Sequence, residues 1–214
     1  MSQRDQMLMN WPERVWIMSP VRLVVLRLQA RKWLGLTGPA AGKTVLEIGC
    51  GPGRGARILA DQMGFEHAFA FDLEVGLAAK AARRLPVRLR RRVAFFAADA
   101  QYLPFAEGRF DAVANFGIIH HVLDWRRCIR EISRVLKPRG VFYFEEIYPP
   151  LYANFLLKRL VRHPTEDRFD GPQFLAALAE NGLRLLDRVE IQSKYGIVGA
   201  AVKIGEYTGS PSKK

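Results

Sequence analysis

The chain of 214 residues reads as an α/β protein, a doubly wound and mostly parallel seven-stranded sheet with helices on both faces and an antiparallel C-terminal hairpin. Three observations predict it. From Lys43 onward, short apolar runs alternate with helical stretches, the order that right-handed crossovers between parallel strands require. Apolar residues are 49% of the chain, enough for one domain with a sizeable core. Two late apolar runs, 183–191 and 196–204, are close enough to pair antiparallel at one sheet edge.

Residues 12–34 are expected to be helical, with Pro12 near the start, Gly35 past the end and Pro20 breaking or kinking the helix. A buried strand follows at 44–48 and ends in the run Gly49, Gly51, Gly53, Gly55. Then come a helix at 56–63, a strand at 67–71 ending in Asp72, and an Ala-rich helix at 74–85 stopped by Pro86. Strands at 92–97, ending in Asp99, and at 110–115 precede a helix at 125–136, which Lys137-Pro138-Arg139-Gly140 should end. A fifth strand is expected at 141–147. After Pro149-Pro150 a helical stretch runs to about 162, another helix spans about 172–180, and the end of the chain is a flexible tail. The chain thus divides into an N-terminal helical extension or lid (1–40), a main domain (41–206) with an insertion at 148–171, and a tail at 207–214.

The composition excludes disordered, collagen-like and coiled-coil chains. No apolar stretch approaches the ~20 residues that span a bilayer, and no signal peptide is expected. Two cysteines, Cys50 and Cys128, suit a reducing cytoplasm better than a disulfide scaffold. No group of Cys, His or carboxylates has metal-ligand spacing, so no metal is expected. The net charge of +12 points instead to a polyanion, nucleic acid or an anionic membrane surface. Its bases cluster in residues 1–43, in 80–92, and at Lys158, Arg159 and Arg162.

The most informative stretch runs from Val45 to Gly55, Val-Leu-Glu-Ile-Gly-Cys-Gly-Pro-Gly-Arg-Gly. It turns a buried strand into a helix through a loop with little side-chain bulk, so backbone N–H groups can approach a ligand at a helix N-terminus. Glu47 is costly inside an apolar strand unless a ligand ammonium or a loop backbone donor satisfies it. Asp72 and Asp99 end successive strands, so one nucleoside could lie along a single carboxyl edge: Asp72 toward ribose hydroxyls, Asp99 toward an exocyclic amine.

Residues from about Lys43 to Glu145 resemble the class I S-adenosylmethionine (SAM)-dependent methyltransferase family, whose fold is Rossmann-like. The resemblance rests on Glu47 to Gly53, Asp72, Ala98 to Phe105, Phe110 to Val113, Ile119-His120-His121-Val122 and Leu136 to Gly140. Arg139 departs from it, standing where the family usually has a second glycine. The resemblance implies SAM as cofactor and S-adenosylhomocysteine as product. Gly49, Cys50, Gly51 and Gly53 would line the methionine part, with Glu47 supporting the loop. Asp72 would hold the ribose, Leu73 would lie beside the adenine, Asp99 and the Ala100 N–H would meet adenine nitrogens, and Asn115 would contact the methionine part through its backbone.

An acceptor that loses a proton needs a base, and His120, His121 and Tyr148 are placed for it on elements that should open toward the methyl group. Glu145 and Glu146 face opposite ways along a strand, so one of them could bind a polar or cationic acceptor. Cys50 reads as a small filler rather than a nucleophile. The lid and insertion combine bases with Trp and Leu. On a wheel, Lys158, Arg159 and Arg162 oppose a largely apolar side, as in membrane-surface helices. Arg22, Arg27, Arg31 and Lys32 read as snorkelling bases among apolar residues. The expected acceptor is therefore lipid-like, a phospholipid amine or quinone precursor at the inner membrane face. A soluble metabolite is the alternative. A nucleic-acid substrate fits less well, because Asn115 is followed by Phe116-Gly117 and not by Pro-Pro, and a SAM-binding module without turnover is also compatible.

Overall fold

The computed structural model describes residues 10–152, 168–186 and 191–205. Two helices open it, α1 (Trp11–Met18) and α2 (Pro20–Thr37). Asn10 and Glu13 form a reciprocal capping box at the start of α1, and Ser19 caps α2 with Pro20 in its first turn. Pro20 therefore divides one expected helix into two. The second runs past Gly35 to Thr37 and ends at Gly38, whose φ of 71° suits glycine.

The strands β1 (Thr44–Ile48), β2 (His67–Asp72), β3 (Val93–Ala97), β4 (Phe110–Phe116) and β5 (Leu136–Ile147) alternate with α3 (Arg54–Asp61), α4 (Val75–Arg84) and α5 (Trp125–Val135). Then come α6 (Pro149–Tyr152), α7 (Gly171–Glu180), β6 (Leu183–Leu185), β7 (Ile191–Ser193) and β8 (Gly196–Lys203). The sheet order is β3-β2-β1-β4-β5-β8-β6, with β7 also on β8. β1 to β5 are parallel, and β8 runs antiparallel to β5. β6 and β7 pair with successive stretches of β8, so eight strands occupy seven positions and complete the antiparallel end of the sheet.

Period-two alternation builds two cores. Leu46, Ile48, Val113, Phe142 and Phe144 pack toward α5 and α7, whereas Val45, Ala112, Ala114 and Tyr143 pack toward α2 and α3. β5 begins at Leu136, earlier than expected, because a register shift between Phe110 and Ala112 lets Lys137 to Gly140 continue the strand. Arg139 sits there at φ 65°, a left-handed conformation that costs a side-chain-bearing residue roughly 1–2 kcal/mol.

The order of the strands reverses between β1 and β4. In open α/β sheets, ligands bind in the crevice beyond the carboxyl ends at that switch point. α1 and the start of α2 lie over it. The basic segment 153–162, with Lys158, Arg159 and Arg162, and the tail 207–214 lie outside the described residues. Among the described residues, no helix is long and apolar enough to cross a membrane.

Candidate active site

A cavity of about 660 Å³ opens at the switch point. Its floor is the β1–α3 loop with Glu47, Gly49, Cys50 and Gly51, and one wall is the segment after β4, from Phe116 to His121. The opposite wall comes from α1 and α2 through Glu13, Trp16, Ile17, Arg22 and Leu26. Ile147 and Leu151 complete it.

The loop has its shape because it must pass between tightly packed side chains. A Cβ at Gly49 would lie 2.5 Å from Ile118, and its φ is 70°. At Gly51, φ is 48° and a Cβ would have only Ile17 within 4 Å, at 3.5 Å, so the bare backbone faces the cavity. Asp72 clasps this loop to β2: it accepts hydrogen bonds from Gly51 N (2.8 Å) and Glu74 N (3.0 Å). Burial, opposed by those two donors, pushes the Asp72 carboxyl above its ordinary value.

Glu47 is buried on the α3 side of β1. Burial pushes its carboxyl well up, the backbone N–H of Ala56 opposes this, and the nearby Asp72 adds to it. Its Oε2 is buried without a hydrogen-bond partner. A backbone donor in the first turn of α3 therefore satisfies only part of the carboxyl. Cys50 is also buried, and burial with the charges of Glu47 and Asp72 drives its thiol far up, so it is a filler and no thiolate nucleophile.

Glu145 and Glu146 do face opposite ways, and both are engaged. Glu146, almost fully buried, accepts from Ile119 N (2.8 Å), His120 N (3.3 Å) and the Asn115 amide, and it meets His120 Nδ1 at 2.7 Å. His120 and His121 both line the cavity, their rings 4.3 Å apart, and His121 Nε2 lies 3.9 Å from Glu13. Glu145 forms a bidentate pair with Arg22 (2.8 and 2.7 Å). Arg22 also donates to Phe116 O at 2.7 Å.

Several expected residues sit elsewhere. Tyr148 does not open on the cavity. It packs in the core against Phe169 and Gly171, its hydroxyl has no hydrogen-bond partner, and burial pushes its phenol up. Asn115 is buried and its side chain holds the turn after β4, accepting from Ile118 N at 2.9 Å, so it shapes the wall without lining it. Asp72, Leu73, Asp99 and Ala100 do not line this cavity either; they sit at or just after the carboxyl ends of β2 and β3. Asp99 accepts from Gln101 N (2.8 Å) and folds the following turn, which Arg127 stacks on at Tyr102. Asp111, in the Phe-Asp-Ala-Val motif, staples β4 to Thr44 and Lys137.

Glu13 and Arg22 are the site residues that the sequence reading missed. Arg22 points inward, not to a headgroup layer. The signal was its spacing, because Arg22, Leu26, Ala30 and Trp33 share one helical stripe and the last three are buried. Glu13 has only its capping-box position to mark it. Among the described residues, no group of three His, Cys, Asp or Glu could hold a metal ion.

A glycine-rich loop at a sheet switch point, followed by acids ending the next two strands, defines a nucleoside-cofactor enzyme of the doubly wound class. Residues 46–144 match the methyltransferase domain family. A fatty-acid O-methyltransferase of Mycolicibacterium smegmatis is 32% identical over 150 residues, 69% of this chain and 46% of that protein. A demethylmenaquinone methyltransferase of Beutenbergia cavernae is 35% identical over 130 residues, 60% of this chain and 51% of that protein. The chain thus spans about half the length of these curated relatives. The solved structure of an S-adenosylmethionine-dependent methyltransferase from Mesorhizobium loti shares the fold, with a TM-score of 0.66 over 80% of this chain and 96% of that one, at 19% identity. Residues 46–144 carry a methyltransferase domain of the class I SAM-dependent type, and the cofactor of that type is SAM.

Proposed function

We propose that the chain transfers a methyl group from SAM to a lipid-like acceptor, a phospholipid amine or quinone precursor, at a membrane surface. The observation that carries this reading is the cavity, which joins the glycine loop to a mostly apolar wall of Trp16, Ile17, Leu26, Ile118 and Ile147. The fatty-acid and demethylmenaquinone enzymes among the relatives support an apolar acceptor.

The residues present fit the cofactor. The unpartnered Glu47 oxygen suits an ammonium, and the open backbone at Gly51 leaves room for a ligand beside it. Gly49, Cys50, Gly51 and Gly53 line the methionine part in this reading. Asp72 and Leu73 hold the ribose and adenine, with Asp99 and Ala100 at the adenine edge. Each oxygen of Asp72 has accepted one backbone hydrogen bond and retains capacity for a ribose hydroxyl.

When bound, SAM supplies an electrophilic methyl on a sulfonium. The chain's task is to hold the acceptor behind it and exclude water, and positioning of this kind is worth up to about 7–11 kcal/mol. His120 is the candidate base. Glu146 engages its Nδ1 and thereby fixes the ring, so a proton taken from the acceptor goes to Nε2. His121 and Glu13 add a second polar pair at the same wall.

Incubation with methyl-labelled SAM, a lipid extract and a soluble metabolite pool tests the reading. Label is expected in the organic phase; label confined to the aqueous phase makes the acceptor a soluble metabolite, and SAM binding without label makes the chain a binding module. His120→Ala should lower turnover about 10²–10⁴-fold with SAM affinity retained. Loss of affinity alone would assign His120 a structural role.

A further inference from the structure

Residues 11–28 carry an unusual surface. Seven of the thirteen exposed large hydrophobic side chains among the described residues fall there, between 36% and 73% exposed. Trp11, Val15 and Met18 on α1 continue into Val21, Val24 and Leu28 on α2, spaced at three or four residues along each helix. The stripe is a true outer face. The opposite side of α2 is buried, with Trp33 packed 4.9 Å from Phe116 and 5.3 Å from Tyr143. Arg27 and Arg31 stand exposed on the same outer face, and no acid occurs from Arg14 to Leu46.

This face is continuous with the cavity. Trp16 and Leu151 are both exposed and both line it, so they mark its mouth, and Trp16 neighbours the stripe. An apolar ridge with interspersed guanidinium groups suits the boundary between headgroups and acyl chains, where long bases reach anionic phosphates while Val, Leu and Trp enter the apolar layer. A second copy of the chain fits poorly, since a two-fold contact would set Arg27 and Arg31 against the same bases with no acid between them. Nucleic acid would leave the apolar side chains unused.

We propose that the outer face of α1 and α2 seats the protein on an anionic lipid bilayer, with the cavity mouth at the boundary so that the acceptor enters from the lipid. The proposal rests on the methyltransferase reading above only for what enters the cavity; the binding itself is independent of turnover.

Co-sedimentation of the full chain with vesicles of phosphatidylcholine, with and without phosphatidylglycerol, tests it. The protein should partition onto the anionic vesicles, with a blue shift of Trp emission from Trp11 and Trp16, and only partly release at high salt. Val24→Glu and Leu28→Glu, both outside the cavity wall, should each weaken partition at least about tenfold. Calorimetric SAM affinity should not change in either variant. No partition onto anionic vesicles at low salt overturns the proposal, as does partition that both variants retain. A dimer in light scattering that Leu28→Glu abolishes would make the face a contact between copies, and binding to RNA in place of vesicles would make it a nucleic-acid surface. Vesicle binding without SAM binding would overturn the methyltransferase reading and leave this one standing; the reverse result would do the opposite.

Discussion

The glycine-loop side and the helical side of the cavity are built by different means. On the glycine-loop side, a carboxylate holds backbone close to its own strand end, as Asp72 holds Gly51 and Glu74, and Asp99 holds Gln101. On the helical side, charged side chains bridge distant segments. Arg22 reaches Glu145 and Phe116 O, Arg14 reaches Glu74 (2.6 and 2.7 Å), and Arg54 donates to the carbonyls of Met18 and Ser19 at the end of α1 (2.7 and 2.6 Å). The first side offers backbone and carboxylates, and the second forms the opposite wall of the cavity. In the proposed function the difference assigns cofactor binding to the sheet edge and the choice of acceptor to helices fixed by a few ion pairs.

Substitutions in the helical side's anchors sharpen that contrast. Arg22→Ala leaves Glu145 mostly buried without its cation and removes the donor to Phe116 O, and should lower unfolding stability by about 3 kcal/mol. Arg14→Ala removes a pair whose Arg is 41% exposed, so solvent screening keeps the loss below about 1 kcal/mol. Urea unfolding of both variants measures the gap, and equal losses would break the comparison. Strain of a different kind sits at the opposite, amino-terminal end of the sheet, at Arg139 near the start of β5. Arg139→Gly relieves its left-handed backbone and should raise stability by about 0.5–1 kcal/mol in the same titration. A decrease would show that the arginine side chain compensates for its conformation.

The two halves also differ in how far the sequence discloses them. Strand, loop and acid follow one another within Val45–Gly55 and at Asp72 and Asp99, so their meeting at one sheet edge follows from topology. The ion pairs of Arg14 and Arg22 join residues 60 and 123 positions apart, and no local pattern names their partners. Arg22 was legible as facing inward from the stripe it shares with Leu26 and Trp33, but read by charge alone it looked like a surface base. Tyr148 follows a strand end as His120 does, yet the backbone after β5 turns it into the core, and sequence position alone could not separate the two. The early start of β5 depends on register, which hydrophobic pattern constrains only to the face.

Whether the glycine loop and its flanking carboxyls form the SAM site is read from titration calorimetry of SAM into the folded wild type, Gly51→Val and Asp72→Ala. Saturable binding by the wild type is expected. Burial raises the carboxyls of Glu47 and Asp72 in the free protein and a cationic ligand favours their ionised forms, so binding should release protons and strengthen as pH rises through those raised values. Gly51→Val places a branched side chain at φ 48° in the ligand's space, and Asp72→Ala removes the clasp, so neither variant should bind SAM measurably. Circular dichroism and melting curves close to wild type would confirm that both variants are folded. Unchanged SAM affinity in both folded variants would contradict the assignment.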